Sequence, residues 1–419
     1  MSSFLQLTPH DPLIARDGRP FGAGQGHRMR GMAWPLPSVV AGSFRTALVK
    51  GMAGLDFSGD MPRRLLEIGV AGVFPVSATN GQSPQIYLPA PSDAVATPSD
   101  AVATPNDGSV KSIVHRAVPQ NMEELGGGCD FPSPGLQPVM LPESTGSFKP
   151  GKMPAWWPLE QYAQWLVGQD VSFDSTFLNS PIEEIRDHVA LDAERGASND
   201  GEIFSTTGLN VTHMPRFRLD QSDSVYSFND RFAEVTLSAR VDIPDSEAEL
   251  KIGENFRMWH PLGGERRLIH WDHQGDKGLW RCPEIVSKGL ETATGIRMVL
   301  ATPAIFKHGW RPDWLNDQLE GTPPGSNVRL KLVGVNNGRW RAVSGWSLAE
   351  TKSQPRGPKP IRRMTPAGSV YFFQCEKPGD AATLTQQWLK SVSDDQQERL
   401  DGFGLAVWGT WCDSSFTKR

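Results

Sequence analysis

Alternating apolar and polar residues in "FLQLTP" (4–9) predict a short strand near the start of the chain. The period then changes. In "PSVVAGSFRTALVKGM", Val40, Phe44, Ala47 and Leu48 recur at helical spacing with Val39 at the edge. This predicts a helix from about Ser38, which follows Pro37 and can serve as its N-cap. "AGVFPVSA" and "QIYLPAP" predict strands, and "PLEQYAQWLVG" a short helix. "EIRDHVALD", "EIFSTTGLNV" and "RFAEVTLSARVDIP" predict further strands. After Gly263-Gly264 the pattern begins again. "GIRMVLATPAIF" predicts a strand, and "NVRLKLVGVNNGRWRAVSGW" a hairpin around an Asn337-Gly338 turn. "GSVYFFQC" predicts a strand, "AATLTQQWLKSV" a helix and "GFGLAVWGTW" a closing strand.

Strand–helix–strand–strand–helix–strand is the order of a ferredoxin-like unit, and the pattern fits it twice. The expectation is an α+β protein of two ferredoxin-like (RRM-like) domains, 1–275 and 276–419, with long Gly/Pro-rich loop insertions. The largest insertion spans about 91–154. The second unit shows no obvious first helix. The insertion opens with "PSDAVATPSDAVATP", a direct repeat of seven residues. Its small, polar composition predicts a mobile loop over 91–108 rather than core.

Composition narrows the class. The 419 residues include 42 Gly and 34 Pro, which argue against a helical bundle. The formal net charge is −5, but it is uneven. Residues 1–50 carry six Lys/Arg against Asp11 and Asp17, an excess of four, so the remainder carries nine net negative charges. A basic patch in an acidic chain points to a polyanion. The four cysteines are widely spaced and form no CxxC, so reduced thiols are expected rather than zinc or a disulfide framework. The start lacks a cationic segment followed by an apolar run, and no stretch reaches the length of a membrane span. A cytoplasmic location without membrane contact is expected.

Four stretches could carry chemistry. The first, "ARDGRPFGAGQGHRMRG" (15–31), contains four arginines and five glycines. It lacks the third glycine of a dinucleotide fingerprint and opens no helix. Glycines let backbone approach a ligand, Arg16, Arg19, Arg28 and Arg30 supply forks for phosphate, and Phe21 and His27 could stack on bases. A solvated, turn-rich loop fits the same residues. The second, "HPLGGERRLIHWDH" (260–273), pairs Gly263-Gly264 with Arg266-Arg267, and its histidines match no common zinc spacing. The third, "PRGPKPIRRMTPAGSVYFF", holds Arg356, Lys359, Arg362 and Arg363 without an acid. It reads as a basic surface loop or as an RNA or subunit contact. The fourth, "GFGLAVWGTW", has Gly402 and Gly404 but no phosphate-loop lysine, so these glycines serve a tight turn or close packing. No hydrolase nucleophile motif, metal-ligand pattern or cofactor signature is present.

The stretches together resemble one family. "DPLIARDGRPF", "WPLPSVVAGSFRTAL", "YLPAPSDAV", "LGGERR", "LATPAIFKHGWRP", "SGWSL", "PKPIRRMTPAGSVYFF" and "GFGLAVWGTW" occur in order across nearly the whole chain. They are similar to the third subunit of the type III-B CRISPR effector, the Cmr complex, within the RAMP superfamily. The resemblance implies two ferredoxin-like domains, a glycine-rich loop and no catalytic activity. It implies binding of the 5′ repeat-derived tag of crRNA, and contact with the large polymerase/cyclase-like subunit and the first backbone RAMP subunit. It places the arginine segment and Arg45 beside the tag; since Phe44 and Leu48 take the apolar face of the helix, Arg45 is expected to point away from the core, towards the arginine loop. Two alternatives remain: a RAMP-type crRNA-processing endoribonuclease using His27, or the equivalent subunit of a type III-A complex.

Overall fold

The computed structural model describes residues 2–17, 27–52, 55–78, 83–97, 113–121, 135–219, 227–347, 349–350 and 355–412, with backbone alone for 27–28 and 199–202. It is a mixed α/β structure built on two antiparallel sheets. The first has seven strands in the order Arg257–Pro261, Leu268–Gln274, Ser2–Pro9, Thr236–Asp242, Gly69–Ser77, Gln85–Pro89 and Trp156–Pro158. Ser2–Pro9 and Gly69–Ser77 both pair antiparallel with the strand between them, so they run parallel to each other. The helix Pro37–Gly51 makes the crossover.

The N-cap of that helix lies two residues earlier than the sequence suggests. Leu36 is the N-cap and Pro37 occupies the first turn, where its missing N–H costs nothing. Its apolar stripe is as the spacing predicts. Val40, Phe44, Ala47 and Leu48 are fully buried, whereas Val39 is exposed. Phe44 packs 5.5 Å from the ring of Trp271 on the neighbouring strand. Burying each such large side chain contributes about 1.5–3 kcal/mol.

The second sheet has six strands: Glu320–Gly321, Leu330–Asn336, Val370–Cys375, Gly295–Leu300, Leu405–Thr410 and Lys390–Ser391. Its three central strands are apolar on both faces and almost wholly buried. Two sequence expectations fail here for the same reason. Leu330–Asn336 does not turn back at Asn337-Gly338 onto Arg341–Ser347. It pairs with Val370–Cys375, and Arg341–Ser347 forms a separate ribbon with Gly357–Met364. Leu330, Leu332 and Val333 are buried, and pairing with Val370–Cys375 inside the sheet overrides the local turn signal. Likewise 381–392 is not a continuous helix. A 3₁₀ helix, Asp380–Gln387, gives way to a short edge strand, because Leu389 N–H donates to Ala406 O at 2.8 Å. No helix lies between Gly295–Leu300 and Leu330–Asn336.

The repeat is the largest correction. Its first copy, residues 91–97, is core rather than mobile loop. Ala94–Ala96 pairs with Val114–Arg116, Ala96 is fully buried, and Ser92 N–H donates to Gly368 O at 2.8 Å. Asp93 is completely buried and accepts from Arg297 Nη1 at 2.6 Å and from Trp165 Nε1 at 3.0 Å. Arg297, on the central strand Gly295–Leu300, is equally buried. Arg116 lies 3.8 Å over the Trp165 ring, its pKa pushed down to about 10 by burial and the nearby Arg297. The insertion therefore joins the two sheets through a buried carboxylate. The second copy lies outside the described residues.

A long hairpin, Ile182–Leu191 with Ser198–Asn210, leaves Ile185, Val189, Leu191 and Ile203 exposed. Among the described residues Cys282, Cys375 and Cys412 are free thiols, no His/Cys/Asp/Glu cluster could hold a metal, and no helix is long and apolar enough to cross a membrane.

Candidate nucleic-acid interface

The arginine segment is held by its ends. Met32 N–H donates to Ala15 O at 2.8 Å and Asp17 N–H to Arg30 O at 3.2 Å, with Arg16 opposite Gly31. This small antiparallel stem closes the glycine-rich stretch between its arms. One arm is fixed further down the chain. Gly264 N–H donates to Ile14 O at 2.9 Å. Gly263 has φ +81°, and a Cβ there would sit 2.4 Å from the same oxygen, so only glycine permits this approach. The other arm, His27–Arg28, runs parallel to Phe204–Ser205 of the long hairpin.

Beside the stem is a groove of about 940 Å³. Asp17, Arg30 and Gly31 form one wall, and Arg339, Trp340 and Arg341 form the other. Arg30, Arg339 and Arg341 are exposed, and Trp340 is 53 % exposed. Arg363 Cζ stands 5.0 Å from the centre of the Trp340 ring. Three guanidiniums against one carboxylate give the groove a positive field, and guanidinium forks match phosphate oxygens. The indole offers a face for base stacking. Among the described residues that line it, Asp17 is the one ionisable side chain besides the arginines.

The structure distributes the sequence-derived candidates unevenly. Arg30 lines the groove and Arg363 reaches it through Trp340. Arg16 is exposed on the stem. Arg19 and Phe21 lie outside the described residues, as do the side chains of His27 and Arg28. Arg266 is exposed in a left-handed turn, and Arg267 is paired with Glu265 at 2.7 Å. Lys359 lies 3.7 Å from Asp401, and Arg362 pairs with Glu398. Arg362 and Arg363 also face Asp394 and Asp395 across a second cavity, which weakens its pull on a polyanion. Gly402 has φ +87° and packs against Val70 O; Gly404 has φ +68°.

Arg45 is a correction. It does not point towards the arginine loop. It is 6 % exposed and donates from Nη1 to Asp401 Oδ1 at 2.5 Å and from Nη2 to Ile68 O at 2.7 Å. Its neighbours on the helix are apolar, but Asp401 supplies a buried carboxylate that draws the guanidinium inward. Arg339, Trp340 and Arg341 were missed because the stretch "NNGRWR" reads first as a hairpin turn. Its signal was an aromatic residue between two arginines.

Comparison with known proteins settles the family. A sequence model of the CRISPR-associated protein family Cas_Cmr3 matches residues 5–411. The chain belongs to the Cas_Cmr3 family. Family membership makes it a type III-B Cmr subunit, and so a type III CRISPR effector subunit. Two structure matches are chains of cryo-EM structures of the type III-B Cmr-beta, one bound to cognate target RNA and AMPPnP, the other to cognate target RNA. Each is 14 % identical with TM-score 0.40, covering 88 % of this chain and 86 % of the other. A third is a chain of the crystal structure of a Csm3-Csm4 subcomplex in the type III-A interference complex, 11 % identical with TM-score 0.32, covering 98 % and 100 %. No curated protein matches.

Proposed function

We propose that this chain is a non-catalytic, cytoplasmic RNA-binding subunit of a Cmr effector that holds the 5′ repeat-derived tag of the crRNA. The observation carrying this reading is the groove of Arg30, Arg339 and Arg341 around Trp340, which offers cations and a stacking face. Family membership supplies the class of RNA. Both sheets support the ferredoxin-like reading through their central strand order. Numbered along the chain, the strands run 4-1-3-2 in each, although 3₁₀ helices replace some of the expected α-helices. The chain bridges the large polymerase/cyclase-like subunit and a backbone subunit. The long hairpin supports a protein partner: its exposed aliphatic residues are set among seven acids and two arginines over 182–210, a composition that repels nucleic acid.

Filter binding of tag RNA as a function of salt tests the reading. Arg30→Ala with Arg339→Ala and Arg341→Ala should weaken binding and flatten the plot of log affinity against log salt by up to about one unit per lost phosphate contact. An unchanged slope overturns RNA binding in this groove. Cleavage of the RNA by the purified chain overturns the non-catalytic assignment.

A further inference from the structure

The arginine groove opens inward at Arg341. Met32, Arg341, Pro366 and Ala367 line it and also line a second cavity of about 240 Å³ that runs between the ends of the two sheets. The chemistry changes across this shared border. The inner cavity is walled by Trp34, Pro35, Trp156 and Met364, and among the described residues Arg341 is the only charged side chain on it. Trp34 and Trp156 lie 4.4 Å apart, their planes tilted by 53°. Trp34 Nε1 donates to Val73 O at 3.0 Å, which satisfies its one polar atom and fixes the half-buried indole at the wall.

We propose that this inner cavity receives one unpaired nucleobase from an RNA strand whose phosphates lie on Arg30, Arg339 and Arg341, an inference that rests on RNA being the ligand of the groove. A nucleotide has the same division as the double cavity, an anionic backbone joined to a flat π-faced ring. The volume lies below the roughly 300–1,000 Å³ of pockets that hold drug-sized ligands, which suits one ring system. The walls are aromatic and aliphatic, the surfaces on which unstacked bases settle in single-strand recognition. Arg341 at the border has five donors and no acceptor, so it can hold a phosphate or the acceptor edge of a purine. A base-paired strand cannot enter, because its ring faces are already stacked. An apolar side chain of a partner protein fits the inner walls but not a mouth of three arginines.

The test uses the full chain and synthetic single-stranded RNA copied from the crRNA tag, with one abasic nucleotide moved along the strand. One position should lose about 5- to 150-fold in affinity, the equivalent of a stacked base, and the others should lose little. Ala33 is exposed at the cavity rim, so Ala33→Trp fills the space without removing a contact. In that variant the intact RNA should bind no better than the sensitive abasic RNA. Equal affinity for every abasic RNA in the unaltered chain overturns the base pocket, as does normal binding of intact RNA by Ala33→Trp. If Arg30→Ala with Arg339→Ala still flattens the salt dependence, the groove reading survives that failure. Full affinity and an unchanged slope in the arginine variant overturn the groove reading and this inference with it.

Discussion

Removing the Asp93 carboxylate should destabilise the whole molecule rather than a loop. Asp93 and Arg297 have no exposed side-chain surface, and Asp93 also accepts from Trp165 Nε1. In Asp93→Ala the Arg297 guanidinium remains buried beside a second cation, Arg116, with no carboxylate partner. Stripping one partner from a buried pair costs about 3–5 kcal/mol. The orphaned indole N–H falls within that range, because its roughly 1–3 kcal/mol overlaps the lost charge interaction. Against a total of about 5–15 kcal/mol, this is a large fraction. Asp100 has the same neighbours in the second repeat copy, so the measurement belongs in an Asp100→Ala background, where a seven-residue slip cannot replace the carboxylate. Urea unfolding followed by tryptophan fluorescence reads the change, and Asp93→Ala with Arg297→Met should recover much of it. A loss below about 1 kcal/mol in the Asp100→Ala background would refute the argument.

Two further outcomes follow from buried groups. Arg45→Ala should lower stability by about 3–5 kcal/mol while leaving RNA affinity per folded molecule unchanged; selective loss of RNA binding in a stable protein would return Arg45 to the interface. His260 is buried, and burial together with Lys50 holds its pKa below the ordinary value. Its contribution to stability is complete above the ordinary pKa of about 6.5 and is lost as pH falls through it, since the unfolded chain takes up the proton first. The urea midpoint should therefore drop between pH 7.5 and 5.5, and His260→Gln should flatten that drop; identical pH profiles would contradict this.

Local pattern carried the elements whose burial is decided locally. Val40, Phe44, Ala47 and Leu48 announced one helical face, and "GSVYFFQC" announced a buried strand. Pairing decided by distant partners left no local trace. The run from Leu330 reads as half of a hairpin until Val370–Cys375 is known to lie beside it. Within seven residues of repeat, one aspartate among Ala, Val, Ser and Thr gives no hint that an arginine 204 positions later will bury it. The arginine-rich opening was legible as a site, but the sequence could not separate Arg30, on the groove, from Arg45, which Asp401 draws inward. The opposite wall of the groove comes from 339–341, and only the fold brings it there.

The ion pair between Arg45 and Asp401 also bears on synthesis. Its partners are 356 residues apart in sequence. At about 5–20 residues per second, Arg45 leaves the ribosome on the order of 20–70 s before Asp401 is made. Asp93 likewise waits for Arg297. During that interval the N-terminal half holds an unpaired cation and an unpaired carboxylate at sites the finished protein buries. The nascent N-terminal half cannot close over them at low cost, and a chain ended at residue 275 never could. Burial of the helix Pro37–Gly51 at Arg45 is thus tied to Asp401, four residues before the last strand of the second sheet, Leu405–Thr410.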